Sequence, residues 1–221
     1  ADPRIVPNTK KLNEISYEEM LELARLGAGV LHSRSVEFAK KYTIRLHVRS
    51  SFNDDRGTIV MPREEMMEKF VISGVTSKDD EAKITIRDIP DRPGVASMLF
   101  GELGKQKVYV NMIVQSTGKD GKASISFTVL KNDLKRALTI CEGLKATMGA
   151  TSIDYKENIA IVSAVGVGML SSWGVAGRMF DVLFKHNINI EMISTSEIGI
   201  SCVIDSMYTE LAVKAIHKEF I

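Results

Sequence analysis

The sequence predicts an α+β protein, with two tandem βαββαβ units behind a shorter α/β segment. Two observations carry this. Residues 82–150 and 157–221 are copies of one design. Under a shift of 80 positions Gly94-Val95-Ala96 falls on Gly174-Val175-Ala176, Phe100 on Phe180, Leu103 on Leu183, Lys105 on Lys185, Met112-Ile113 on Met192-Ile193 and Ser116 on Ser196. A fixed internal period marks a repeated structural unit. Within each copy, short apolar runs alternate with helical runs, which gives an antiparallel sheet with both helices on one face, the ferredoxin-like arrangement. A pair of such units, each with a Gly-opened helix, suits ligand sensing better than chemistry.

Each element has its own signal. Residues 1–15 hold two prolines and no period, so they read as a loop. Ser16-Tyr17-Glu18-Glu19 is a capping box, with Met20, Leu21, Leu23, Ala24 and Leu26 following on a helix that ends near Gly27. Ser33 is the expected cap of a second helix, whose inner side carries Val36 and Ala39. Strict alternation over Ile44–Ser50 predicts a half-buried strand, Asn53–Gly57 a turn, and Thr58-Ile59-Val60 a returning strand. The polar run from Pro62 to Lys69 is the expected linker, with Met66 and Met67 as candidate internal translation starts.

Strands are then expected at Phe70–Val75 and Lys83–Asp88, a helix over Pro93–Gln106, strands at Val108–Val114 and Ala123–Leu130, and a helix over Leu134–Met148. The second copy repeats this with Ile159–Gly166, helix 174–186, Ile188–Ser194, Gly199–Ile204 and helix 208–219. The expected domains are 1–62, a linker and strand over 63–81, a first repeat over 82–150 and a second over 151–221.

Bulk properties narrow the function classes. At 221 residues, 44% hydrophobic and 26% charged, the chain has the make-up of an ordinary soluble globular protein. A net charge of +1 gives no field for nucleic acid or an anionic membrane. Cys141 and Cys202 lack metal-ligand spacing and sit in apolar stretches, so free thiols in a reducing cytoplasm are expected. No apolar run approaches the roughly 20 residues needed to span a bilayer. The start, Ala1-Asp2-Pro3-Arg4, has neither an initiator Met nor a basic-apolar leader, so a fragment of a longer protein is expected.

The segment richest in chemistry is Asp88-Ile89-Pro90-Asp91-Arg92-Pro93-Gly94. Gly94 lets a small molecule approach bare N–H groups at the positive end of a helix, and Asp91 just outside can take an ammonium. Together they would read a free α-amino acid. In one isolated unit the same residues read equally well as a strand-to-helix turn with Asp91 as a solvated cap; the duplication favours a ligand. The second copy departs here, with Met169-Leu170-Ser171-Ser172-Trp173-Gly174. Its acid and proline are gone, and Trp173 is expected to be a packing residue. Gly166-Val167-Gly168 lacks the third glycine and the acid of a dinucleotide fingerprint and is rejected as one. His32, His47, His186 and His217 are scattered, without ligand spacing, so solvated or core roles are expected.

Ile15-Ser16-Tyr17-Glu18-Glu19-Met20-Leu21-Glu22-Leu23-Ala24, followed by Ser35-Val36-Glu37-Phe38-Ala39, resembles the end of the kinase domain of aspartokinases, which phosphorylate the side-chain carboxylate of aspartate. Asp2-Pro3-Arg4-Ile5-Val6-Pro7 and Leu46-His47-Val48-Arg49-Ser50-Ser51-Phe52 look like the same family. The remainder resembles its paired ACT regulatory repeats, through Asp91-Arg92-Pro93-Gly94 and Ile190-Glu191-Met192-Ile193-Ser194-Thr195-Ser196-Glu197. The implied fold is a tandem of ferredoxin-like ACT domains behind an α/β segment from the end of an amino-acid kinase domain, and the strand after the linker is implied to join the sheet of the second repeat.

The resemblance also implies roles. Ile89, Asp91, Gly94, Ala96 and Gln115 would line an effector pocket with Asn189 and Ile190, formed where ACT repeats of two chains pair in a homodimer. Ser196 and Glu197 match positions near a lysine site. Asn111 stands where lysine-responsive members carry an acid, which favours threonine over lysine. Asp2 and Arg4 match a motif bordering the ATP site; ATP and Mg are implied for the intact enzyme, and no catalytic residue or metal ligand is carried over. The family's Lys-Phe-Gly-Gly phosphate-binding segment is missing from these residues. Phosphoryl transfer depends on such positioning groups, so the chain alone is expected to be inactive. Two other readings stand beside this one: a stand-alone amino-acid sensor, and a purely structural dimerisation module.

Overall fold

In the computed structural model, which describes residues 1–66, 70–118 and 121–221, the chain divides into two units. One holds Ala1–Lys78 with Ile161–Ile221, the other Asp79–Ala160. Met67 and the end of the expected linker lie outside the described residues.

The Asp79–Ala160 unit is the first repeat. Its elements are β5 (Glu81–Pro90), α3 (Val95–Lys105), β6 (Val110–Thr117), β7 (Lys122–Leu130), α4 (Leu134–Met148) and β8 (Ser152–Lys156). The strand order is β6-β7-β5-β8, with each described pairing antiparallel. Alternation builds the core: Ala82, Ile84 and Ile86 on β5 and Ala123, Ile125, Phe127 and Val129 on β7 all turn inwards, where they meet Leu99 and Leu103 of α3 and Ala137 and Cys141 of α4. Phe127 also meets Phe100 edge-on, with centroids 5.5 Å apart.

The other unit contains the second repeat and the N-terminal segment. The repeat has β9 (Ile159–Val165), α5 (Val175–Lys185), β10 (Met192–Thr195), β11 (Gly199–Asp205) and α6 (Thr209–Phe220). Its sheet is closed by a strand from well upstream, β4 (Gly74–Lys78), in the order β10-β11-β9-β4. β4 runs antiparallel to β9, from Gly74 against Val165 to Lys78 against Ile161. It takes the edge position that β8 takes in the first repeat.

The N-terminal segment forms a three-stranded sheet in the order β1 (Glu14–Ser16), β3 (Thr58–Met61), β2 (Leu46–Val48), covered by α1 (Tyr17–Arg25) and α2 (Ser33–Lys41). The Ser16 capping box forms as read, with the Ser16 hydroxyl accepting from the Glu19 N–H and the Glu19 carboxylate from the Ser16 N–H. Val36 and Ala39 are buried, as their spacing requires.

Several expectations need correction. The strand expected at Phe70–Val75 begins at Gly74, because the backbone of 70–73 passes over Gly166 and Gly168 instead. Ser152–Lys156, assigned to the second repeat, forms the edge of the first sheet; of its residues only Ile153 packs on that core, which leaves a weak strand signal. β1 was missed because its three residues are too few to show a period. Ser33 is the first helical residue, and His32 is the cap, its Nδ1 accepting from the Arg34 N–H at 3.2 Å. Trp173 packs against nothing: it is 99% exposed.

Both cysteines are buried free thiols whose pKa burial pushes up to about 12, Glu142 adding to the effect at Cys141. Since the thiolate is the reactive form, neither should react with a disulfide reagent at about pH 8 while the protein is folded. Both should react once it is denatured, and counting released chromophore checks this.

Candidate functional site

The first repeat carries a cavity of about 330 Å³ at the mouth of α3, lined by Ile89, Asp91, Gly94, Ala96, Gln115 and Ile125 among others. Its construction is local. β5 loses register between Ile86 and Ile89, where Asp88 takes a positive φ of 55°, and this turns the strand end towards the helix. The Asp91 N–H then donates to the Gly121 carbonyl at 2.8 Å, which pins the loop to the end of the β6–β7 hairpin. Gly94 follows as the helix N-cap with φ 97°, a conformation that strains any residue carrying a Cβ. A Cβ there would meet nothing within 4 Å, so the glycine is required by the backbone and the space beside it is open.

The first turn of α3 has no side-chain cap, unlike that of α1. Its leading N–H groups therefore face the cavity mouth without intrahelical partners. An exposed carboxylate, Asp91, stands on the same rim, and Ile89 and Ile125 form an apolar floor. The arrangement offers one anion-binding end, one cation-binding carboxylate and a small apolar surface, which is the complement of a zwitterion with a short side chain.

Five of the residues singled out from the sequence, Ile89, Asp91, Gly94, Ala96 and Gln115, thus converge on one cavity. The other four lie in the second repeat. Asn189 and Ile190 precede β10, and Ser196 and Glu197 occupy the β10–β11 turn. The Ser196 hydroxyl donates to Glu22 of α1 at 2.8 Å. Asn111 donates to the buried Glu81 at 2.8 Å, away from the cavity lining. Asp2 and Arg4 form an ion pair of 2.7 Å on the wall of a second cavity of about 660 Å³, lined by the N-terminal segment together with β4 and Val213 of α6.

All four histidines make structural bonds: His32 caps α2, His47 reaches the Arg56 carbonyl, His186 Nδ1 lies 2.9 Å from the Val182 carbonyl, and buried His217 lies 3.0 Å from the Thr9 hydroxyl. Among the described residues no cluster of His, Cys, Asp or Glu suits a metal ion, and no helix is long and apolar enough to cross a membrane.

The equivalent loop of the second repeat is built differently. Gly174 repeats the left-handed N-cap at φ 78°, but a 3-10 turn over Val167–Ser171 replaces the acid-bearing stretch. The residues that sequence reasoning passed over lie here. Gly166 and Gly168, rejected as a nucleotide motif, are where the backbone of 70–73 crosses in contact, and Glu19, read only as half of a capping box, bonds to this turn.

Comparison with known proteins agrees with this architecture. The ACT domain family profile matches residues 87–143 and 162–220, and the amino acid kinase family profile matches residues 1–50. The class is thus a tandem ACT regulatory pair carried behind the end of an amino-acid kinase domain. An aspartate kinase of Stutzerimonas stutzeri is 50% identical over 220 residues, 99% of this chain and 53% of that protein. The crystal structure of the regulatory subunit of aspartate kinase from Thermus thermophilus is 36% identical with a TM-score of 0.65, covering 68% of this chain and 99% of that one. That of Clostridium acetobutylicum aspartate kinase is 29% identical with a TM-score of 0.90, covering all of this chain and 51% of that one. The chain belongs to the aspartokinase family, and it spans about half the length of the curated relatives it matches.

Proposed function

We propose that this chain is the regulatory portion of an aspartokinase, the ATP-dependent enzyme that converts L-aspartate to 4-phospho-L-aspartate, and that it binds threonine as a feedback inhibitor, with lysine as a second candidate. The observation that carries the reading is the Asp91–Gly94 rim. A carboxylate and a row of helix N–H groups without intrahelical partners flank a cavity of about 330 Å³, a size suited to one small amino acid. Asn189 and Ile190 of a partner chain would complete the pocket in a homodimer, and Ser196 and Glu197 would lie near a lysine site. Inhibition follows if the effector binds one of two arrangements of the enzyme more tightly than the other.

The chain's own contribution to nucleotide binding would be Asp2 and Arg4. The two pair with each other at 2.7 Å, with the Arg4 side chain almost fully exposed. ATP and Mg belong to the intact enzyme, whose place of action is the cytoplasm. The test is aspartyl phosphate formation, trapped as the hydroxamate. The chain alone should give none, and the intact kinase that carries it should slow with added threonine. Phosphorylation by the chain alone would overturn its assignment as a regulatory portion. Indifference of the intact enzyme to both amino acids would favour the structural-module reading.

A further inference from the structure

We infer that Glu19 is the residue through which the second ACT repeat holds the kinase segment, and that the loop of this repeat has become a coupling joint where its twin in the first repeat forms a ligand cavity. The inference rests on the reading of the chain as the regulated end of a kinase. The Glu19 side chain is completely buried, yet each carboxylate oxygen is bonded in a different direction. Oε2 accepts from the Ser16 N–H at 3.2 Å and the Ser16 hydroxyl at 2.8 Å, both at the start of α1. Oε1 accepts from the Val167 N–H at 3.0 Å and from the Ser73 hydroxyl. Val167 opens the 3-10 turn of the second repeat, and Ser73 is the last residue before β4.

One carboxylate therefore ties together a kinase-segment helix, the strand that closes the second ACT sheet and the loop that leaves that sheet. A buried polar group is tolerated only when its hydrogen-bonding sites are filled, so this side chain is committed to one arrangement of the three segments. The surroundings point the same way. Val165, the last residue of β9, is packed into the core of the kinase segment with Ile15, Met20 and Leu23. The chain at 70–73 lies against Gly166 and Gly168 so closely that a Cβ on either would fall within 2.5 Å of backbone oxygens. Ser196 adds a second strut to α1 through Glu22. Val167 is the 80-shifted counterpart of Arg87, which sits at the register shift leading to the Asp91 loop. Under the same shift Asp91, on the rim of the first repeat's cavity, corresponds to Ser171, the end of the 3-10 turn that Val167 opens.

Motion of this turn thus cannot leave α1 undisturbed, which is the physical requirement for passing a conformational state between two elements. Two variants and two readouts test it. Glu19→Gln keeps the shape but turns an NH₂ towards N–H or O–H donors, and Ser73→Ala removes one arm only. In hydrogen exchange on this chain, the Val167 amide should exchange about tenfold faster or more in Glu19→Gln, with a smaller change in Ser73→Ala, while the β7 amides of the other unit keep their protection. In the intact kinase both variants should lower the maximal inhibition reached at saturating threonine, more so for Glu19→Gln, while threonine affinity by calorimetry stays within about threefold. Unchanged Val167 exchange in both variants would overturn the joint itself. Inhibition lost in proportion to affinity would overturn its role in coupling. If threonine does not bind the unmodified protein, the functional reading fails and the exchange measurement still judges the joint.

Discussion

Asp91→Ala should weaken threonine binding to this chain by about tenfold or more, as expected for loss of a charge-assisted hydrogen bond to an ammonium at a partly solvated site. The physical case is specific. Asp91 is fixed in position by its N–H bond to the Gly121 carbonyl and by the chain reversal that ends at Gly94. Its carboxylate stands outside the helix and makes no contribution to the core, so truncation should leave folding intact. Asp91→Asn separates charge from shape: if the ammonium is the group recognised, asparagine should lose most of what alanine loses. Equilibrium dialysis with labelled threonine reads both variants. Affinities unchanged within error would remove Asp91 from the pocket and leave it as a solvated cap.

A large loss of stability should come from Gly166→Ala. Gly166 has extended backbone with φ −178°, which any residue adopts, so the argument is one of space alone. An alanine Cβ would lie 2.3 Å from the Val71 carbonyl oxygen, 2.6 Å from the Ile72 Cα and 2.9 Å from the Ser73 nitrogen. All three are backbone atoms, so relief requires moving the segment that leads into β4 and carries Ser73. Overpacking of this kind costs about 1–3 kcal/mol where side chains can yield and more where backbone must; about 3 kcal/mol or more is expected here. Gly101→Ala is the matched control. It sits inside α3, a Cβ there meets nothing within 4 Å, and the change should stabilise by about 0.5–1 kcal/mol. Urea unfolding followed by circular dichroism compares the two. Equal midpoints for Gly166→Ala and the parent would mean that segment 70–73 does not lie against Gly166.

What was legible in the sequence was what local chemistry decides. The period of 80 maps α3, Val95–Lys105, onto α5, Val175–Lys185, residue for residue, and both helices open on a left-handed glycine. The Ser16 capping box and the inward face of α2 were readable because their partners are three residues apart. The Asp91–Gly94 rim was readable for the same reason, as a run of neighbours whose backbone demands converge.

What escaped was non-local. Nothing in Ser152–Lys156 announces which sheet it closes, and β4 finds its partner 89 residues downstream, where Val75 faces Ala164. In both cases an edge strand with a weak alternating pattern is placed by tertiary pairing. Glu19 is the sharpest instance. Half of its bonding was visible as a capping box, but its other oxygen is satisfied 148 residues away at Val167. Gly166 and Gly168 were weighed only as a nucleotide motif and rejected; that they make room for the protein's own backbone at 70–73 was not legible. Trp173, expected to pack and found exposed, shows the converse: an aromatic residue does not by itself supply a neighbour.

The most direct test of the central claim, that the first repeat reads a free amino acid, is titration calorimetry of this chain with threonine, then lysine, then both. Saturable heat with threonine that disappears in Asp91→Ala is the expected result. No heat with either amino acid from a folded chain, or threonine heat that Asp91→Ala leaves unchanged, would contradict it.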